Sequence, residues 1–256
     1  MNKSESLKII SEIIRKEGSI SIKVICEKLG VSESTARRYV NELMKISSLP
    51  LKRVYGGLIL DTGKGSLELM FDTKLRINIE EKRRIAEKAV EMLEDGDSVI
   101  IDSGSTAFYV ARLLSKKRGL KIITVDIRIA EELGKNPDIE AYIVGEMIRP
   151  GYYSIGGDLA IETLKNFSVE KVLLTADAVD LENGITNSSM FEVYVKRAII
   201  EAGKQVILLA DHTKFGKKAF VKVAPLEKID IIITTKEISK ELVGQIMEKG
   251  VQVILV

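Results

Sequence analysis

Leu7, Ile10, Ile13 and Ile14 recur at the spacing of one helical face, and the pattern stops at Gly18, a residue that readily ends a helix. A second amphipathic stretch runs from Ile22 to Leu29 and closes at Gly30. A third follows over Glu33 to Ile46, with Ser32 placed to cap it and Ala36, Val40 and Leu43 on its inward face. After Pro50, the run LKRVYGGLIL sets two β-prone pieces around Gly56-Gly57, which is a hairpin signal. Helix, helix, turn, helix, hairpin is the order of a winged helix-turn-helix.

From Asp61 to Ile79 the periodicity weakens, and TGKGS marks a linker. Asn78 and Glu81 have capping-box spacing ahead of the helical EKRRIAEKAVEML. Beyond it β runs and helices alternate: SVIID, a helix from about Thr106, KIITV, a helix from Arg128, AYIVG, a helix near Leu159, EKVLLTA, a helix near Val193, QVILLA, IDIIIT, a helix from Ile238, and VQVILV. Strands this continuously apolar, separated by amphipathic helices, predict a mostly parallel α/β sheet with ligands at the carboxyl ends of its strands. The fold class is therefore α/β: a winged helix-turn-helix over 1–60, a linker over 61–79, and an α/β domain over 80–256.

Composition narrows the function. With 45% hydrophobic and 30% charged residues the chain has ordinary globular proportions, and no apolar run approaches membrane-spanning length. MNKSESLKII lacks the apolar core of a signal peptide, so a cytoplasmic protein without membrane contact is expected. One cysteine, Cys26, excludes an intrachain disulfide and any cysteine-cluster metal site. The single histidine, His212, argues against a histidine-based zinc site and reads as an exposed loop residue; no metal or cofactor is expected. Residues 1–60 carry 11 Lys/Arg against 6 Glu, although the whole chain is only +2. This basic excess favours contact with a polyanion at the N-terminal end.

In a helix-turn-helix the second helix enters the major groove. Here its polar residues are Ser32, Glu33, Ser34, Thr35, Arg37, Arg38 and Asn41, with Lys52, Arg53 and Tyr55 in the hairpin. Arg pairs bidentately with guanine and Asn with adenine, so the inventory suits base readout. A small docking module with a solvated basic face would read the same way. In SVIIDSGST, the residues Ser103, Gly104, Ser105 and Thr106 put hydroxyls and a permissive backbone at a helix start, where amides gather an anion. A capped βα turn is the alternative. Asp102 is placed to orient a sugar hydroxyl or to cap the loop, and Lys214 to neutralise a phosphate with Asp211 positioning it, unless the two form a solvated pair. Glu192 and Lys196, four apart on a helix, are spaced to pair with each other.

These residues carry a resemblance. LGVSESTARRYVNEL followed by RVYGG resembles the N-terminal domain of the DeoR family of bacterial transcriptional regulators, through Val31, Ser32, Thr35, Arg37, Arg38, Gly56 and Gly57. Ala36, Tyr39 and Tyr55 depart from that pattern. EEKRRIAEKAVEML, IDSGST, NGIT, ADHTKFG and IDIIIT follow in the family's order. The resemblance implies a sensor domain similar in fold to ribose-5-phosphate isomerase that binds a phosphorylated sugar. It adds Thr124, Asp177, Gly184 and Thr186 to the effector residues. Where the family often has Thr-Asn the chain has Thr124-Val125, and a Gly-Gly becomes Gly145-Glu146. Asp177 and Asp180 match two acids of the isomerase, but the lysine and glycine run after them are missing, with Thr186 near the lysine's place. The expectation is a regulator, not an enzyme. It would bind double-stranded operator DNA as a homodimer or homotetramer, because a helix-turn-helix reads two half-sites.

Overall fold

The computed structural model describes residues 3–256 apart from Gly18, Ser48, Pro50, Tyr55 and 61–68. The breaker at Gly18, the wing residue Tyr55 and the TGKGS linker signal lie outside the described residues. The chain divides into two compact units, Met1–Ile79 and Glu80–Val256.

The first unit holds α1 (Lys3–Glu17), β1 (Ser19–Ser21), α2 (Ile22–Leu29), α3 (Glu33–Ile46), β2 (Leu51–Val54) and β3 (Gly57–Leu60). Ile10, Ile14, Ile25, Ala36, Val40, Leu43 and Leu58 close its core. Ser21 caps α2 through Val24 N at 3.2 Å, and Ser32 caps α3 through Thr35 N at 3.3 Å. Gly30 ends α2 in the left-handed conformation that its missing Cβ permits. The hairpin forms as the Gly56-Gly57 signal predicts, with Val54 paired to Gly57. A third strand was not legible: β1 adds to the hairpin through β3, giving the order β1-β3-β2. Gly57 allows this, because a Cβ there would lie far inside van der Waals contact with the Ile20 carbonyl oxygen.

Part of the expected linker is structured. A short helix, α4 (Phe71–Leu75), buries Phe71, and Arg76 lies 3.7 Å from Glu27. The capping box does not form as read, since Asn78 has a left-handed backbone (φ 51) and the Glu81 carboxylate bonds elsewhere.

The second unit begins at Glu80, one residue into α5 (Ile79–Glu91), and is built on seven parallel strands. These are β4 (Ser98–Ile101), β5 (Lys121–Thr124), β6 (Glu140–Ile143), β9 (Val169–Thr175), β12 (Gly203–Leu209), β14 (Ile231–Thr234) and β15 (Gln252–Leu255), in the order β15-β14-β12-β9-β4-β5-β6. Connecting helices are α6 (Ser105–Leu113), α7 (Ile127–Leu133), α8 (Asp158–Leu164), α9 (Met190–Ala202) and α10 (Lys240–Glu248). Central strands such as β4 and β14 are buried on both faces, which their continuous Val/Ile runs require. Two additions were not legible: the pair β7 (Met147–Ile148) with β8 (Ile155–Gly156), and an antiparallel sheet of β10 (Ala178–Asp180), β11 (Gly184–Asn187) and β13 (Val221–Ala224).

The chain runs outward from β4 through β5 to β6, then returns to place β9 on the other flank of β4. The carboxyl ends of β4 and β9 thus form a topological switch point, where divergent loops leave a crevice.

Candidate functional site

Asp102 follows β4 at that switch point and is 1% exposed. Its Oδ2 accepts from the Thr175 amide at 2.9 Å, from Thr175 Oγ1 at 3.1 Å, and from Nζ of Lys196 on α9. Lys196 also donates to the Thr175 carbonyl at 3.1 Å. Burial pulls the Lys196 pKa down, but the adjacent Asp102 carboxylate outweighs it, so the ammonium is held above its ordinary value. Oδ1 of Asp102 is buried with no hydrogen-bond partner among the described residues.

A narrow recess opens here, lined by Asp102, Ser103, Val125, Ser154, Ile155, Glu192, Val195 and Lys196. The structure therefore gathers Asp102, Ser103, Glu192 and Lys196 from the expected set. Glu192 and Lys196 do not pair with each other as their spacing suggested. Glu192 Oε1 accepts from Arg149 Nη1 at 3.0 Å and Ser154 Oγ at 2.7 Å, and Oε2 from Asn187 Nδ2 at 2.9 Å. Tertiary partners from β4 and from the segment around β8 outcompete the helical neighbour.

Gly104 caps α6 with φ 125, and a Cβ there would crowd Thr175 Oγ1 at 3.1 Å. No hydroxyl caps this helix; Ser105 and Thr106 lie buried in its first turn. The Gly104 amide instead donates to Oδ2 of Asp126 at 3.3 Å. Thr124, at the end of β5, is buried, and its Oγ1 has no hydrogen-bond partner among the described residues. Val125 gives the recess an apolar wall, and Glu146 presses its carboxylate against Gly157 at the start of α8.

The other expected effector residues, and Asp180, make contacts within the fold. Asp177 Oδ2 accepts from the Ser188 amide at 2.9 Å, and Asp180 Oδ1 holds its own turn through Asn183 N at 2.7 Å. Gly184 is a turn glycine with φ 70, jammed against the Ala224 carbonyl. Thr186 Oγ1 donates to the Ala178 carbonyl at 3.3 Å and accepts from the Ala219 amide at 2.8 Å. Asp211 caps the turn at His212–Lys214 through Thr213 N at 3.0 Å. Burial raises its pKa, but Lys214 and Lys82 outweigh that and hold it below the ordinary carboxylate value. Lys214 is not among the residues lining the recess. His212 is not a free loop residue: its Nδ1 meets Glu81 Oε2 at 2.7 Å, and Thr235 Oγ1 donates to the same oxygen at 2.8 Å. Glu81, Asp211 and His212 bring their ligand atoms within 4.8 Å of one another, with the charges of Lys82 and Lys214 acting on the cluster through Asp211.

Sequence reading missed Thr175, Asp126, Arg149, Ser154 and Asn187. Only Thr175 and Asp126 carried a signal, as polar residues ending or following apolar β runs.

On the first unit, α3 turns Ser32, Ser34, Arg37, Arg38 and Asn41 to solvent, with Thr35 half-buried and Lys52 and Arg53 exposed on β2. Arg37 Nε donates to Glu33 Oε1 at 3.0 Å, and Arg53 Nη1 to Asn41 Oδ1 at 2.6 Å, tying the wing to the helix. Ser32 is taken up by the helix cap and by Ser34 Oγ at 2.9 Å. Tyr39 is 8% exposed and packs into the core, so the departure at this position is a core residue.

Residues 7–64 match the DeoR-like helix-turn-helix domain, and residues 77–236 match the DeoR C terminal sensor domain. The chain belongs to the DeoR family. This DeoR-family protein is 40% identical to a protein of Escherichia coli named as a transcriptional regulator of the sgc region, over 92% of this chain and 90% of that one. It is 31% identical to one named as an aga operon transcriptional repressor, also of Escherichia coli, over 99% and 94%. It is 31% identical to the HTH-type transcriptional repressor GlcR of Bacillus subtilis, over 100% and 97%. Solved structures with a similar sheet include a D-ribose-5-phosphate isomerase in complex with phospho-erythronic acid, at TM-score 0.40 and 15% identity over 54% of each chain. Another is the translation initiation factor eIF-2B of Pyrococcus horikoshii, at TM-score 0.47 and 14% identity over 90% and 79%. These two likenesses are too distant to bear on chemistry. The family is one of DNA-binding transcriptional regulators, not enzymes.

Proposed function

We propose that this DeoR-family regulator represses a carbohydrate-related operon and that a phosphorylated sugar, bound at the recess, changes its affinity for operator DNA. The observation that carries the reading is the buried Asp102–Lys196 pair at the switch point, whose Asp102 Oδ1 has no partner among the described residues, in a chain whose other unit exposes a basic recognition helix. The unpartnered oxygen suits a sugar hydroxyl. The α6 amides, with Ser103, Gly104, Ser105 and Thr106, suit a phosphate.

Ser34, Thr35, Arg37, Arg38, Asn41, Lys52 and Arg53 are the residues proposed to meet DNA. Two copies would present recognition helices to adjacent half-sites, which calls for a homodimer or homotetramer. The DNA target goes with a cytoplasmic location. Two relatives named as repressors support the direction of control.

The test is fluorescence anisotropy on the DNA upstream of the protein's own gene, with and without a panel of pentose and hexose monophosphates. A coupling of about 1–3 kcal/mol, or about 5- to 150-fold in DNA affinity, is expected for the cognate sugar phosphate. Operator DNA must change sugar-phosphate affinity by the same factor. If no panel member shifts either DNA affinity or thermal stability, the phosphorylated-sugar assignment is wrong.

A further inference from the structure

Asp126 follows β5 and is wholly shielded from solvent (0%). Its Oδ1 accepts from the amides of Arg128 at 2.8 Å and Ile129 at 3.1 Å, capping α7. Its Oδ2 turns toward α6 and accepts from Gly104 N at 3.3 Å. A donor that an incoming anion would use is therefore occupied by a carboxylate of the protein itself.

The charges around Asp126 do not favour its anion. Asp102, at the end of β4, is a second carboxylate and acts to disfavour the charge. Lys196 of α9 is bonded to Asp102. Arg128 of α7 stacks over the Tyr153 ring at 5.4 Å and reaches Glu131 at 3.8 Å. Glu192 of α9 is matched by Arg149. Ser154 bridges to Asp126 through the backbone and gives its hydroxyl to Glu192. Burial, opposed only in part by the three amides, holds the Asp126 pKa at about 7. Two further polar atoms point to a ligand: Asp102 Oδ1, on the wall of the recess, and the Thr124 hydroxyl, two residues before Asp126, are both buried and without hydrogen-bond partners among the described residues.

We propose that Asp126 sets effector specificity, admitting the effector's anionic group to the α6 amides only as it takes up a proton from solvent. This rests on the reading that the effector carries a phosphate. In the neutral acid, Oδ1 remains the carbonyl oxygen and keeps the α7 cap. Oδ2 gains a hydrogen and changes from acceptor to donor, which releases the Gly104 N–H. The anion then meets two donors where the ligand-free protein presents a negative charge. No covalent bond to the ligand forms, and one proton enters per anion bound. Neutral sugars lack the group that would draw this proton in, so they are discriminated against by the same residue.

Sulfate is the clean probe, because it does not titrate in the range used, and glucose 6-phosphate is the sugar-phosphate probe. Isothermal titration calorimetry of the full chain between pH 5.5 and 8.5 should show sulfate affinity falling about tenfold per pH unit above pH 7. In two buffers of different ionisation enthalpy at pH 8, proton uptake should approach one per sulfate. Asp126→Asn, which mimics the neutral acid, should bind both probes more tightly than the parent at pH 8 and lose the pH dependence for sulfate. Asp126→Ser, which retains a capping oxygen without charge, should do the same. Sulfate binding by the parent with no proton uptake overturns the proposal even if both variants fail to fold, and leaves the phosphate reading standing. Failure of the parent to bind sulfate and any sugar phosphate at pH 5.5 overturns both.

Discussion

Nζ of Lys196 and Oδ2 of Asp102 are hydrogen-bonded across 94 residues of sequence, with side chains only 2% and 1% exposed. The pair joins α9 to the end of β4 and lines the recess there. Removing one partner of a buried ion pair leaves the other uncompensated, a loss typically of about 3–5 kcal/mol. Lys196→Met should therefore lower unfolding free energy by that order in urea, whereas removing both charges in Lys196→Met with Asp102→Asn should recover part of it. A double variant destabilised by the sum of the two single variants would show that the pair is not coupled.

The recognition face carries a charge prediction. Arg37 is exposed on α3, so Arg37→Glu should leave the helix folded by circular dichroism while abolishing specific DNA binding at physiological salt. Parent binding should weaken steeply as salt rises, because phosphate contacts release counterions. Anisotropy titrations at several salt concentrations check both, and undiminished binding by the variant would remove Arg37 from the interface.

Gly57 tests the wing. A methyl group there collides with the Ile20 carbonyl and cannot be accommodated without separating β1 from β3. Gly57→Ala should destabilise the first unit by about 1–3 kcal/mol and weaken DNA binding. Gly30→Ala, at a left-handed but open position, should cost less at the wing and leave the β1–β3 pairing protected from amide exchange.

Asp126 makes stability depend on pH. Folding raises its pKa from the ordinary 3.8 to about 7, so the folded protein holds the proton more tightly than the unfolded chain. This contribution is complete below pH 3.8 and is lost as pH rises through about 7, on the order of 4 kcal/mol in all. Between pH 5 and pH 8 the parent should lose stability faster than Asp126→Asn, whose side chain cannot ionise. Urea unfolding at the two pH values measures the difference, and parallel slopes would refute it.

Element order was legible because hydrophobic periodicity is a local property. The three helices and hairpin of the first unit, and the alternation from SVIID to VQVILV, each follow from spacing within about fifteen residues. Caps at Ser32 and the glycine at Gly57 were legible for the same reason. The strand β1 was not, since the three residues SIS pair only once β3 offers them an edge.

The sequence by itself determined a winged helix-turn-helix followed by a parallel α/β unit, and it placed Asp102 and Ser103 at a strand end facing a crevice. The tertiary structure decided the partners. It took Lys196 from Glu192 and gave it to Asp102, turned Glu192 to Arg149 and Ser154, drew Tyr39 into a core, and set Asp126 against Gly104. These choices depend on strand order, which places β9 beside β4 although about 70 residues separate them, and no spacing along the chain records which buried charge will meet which.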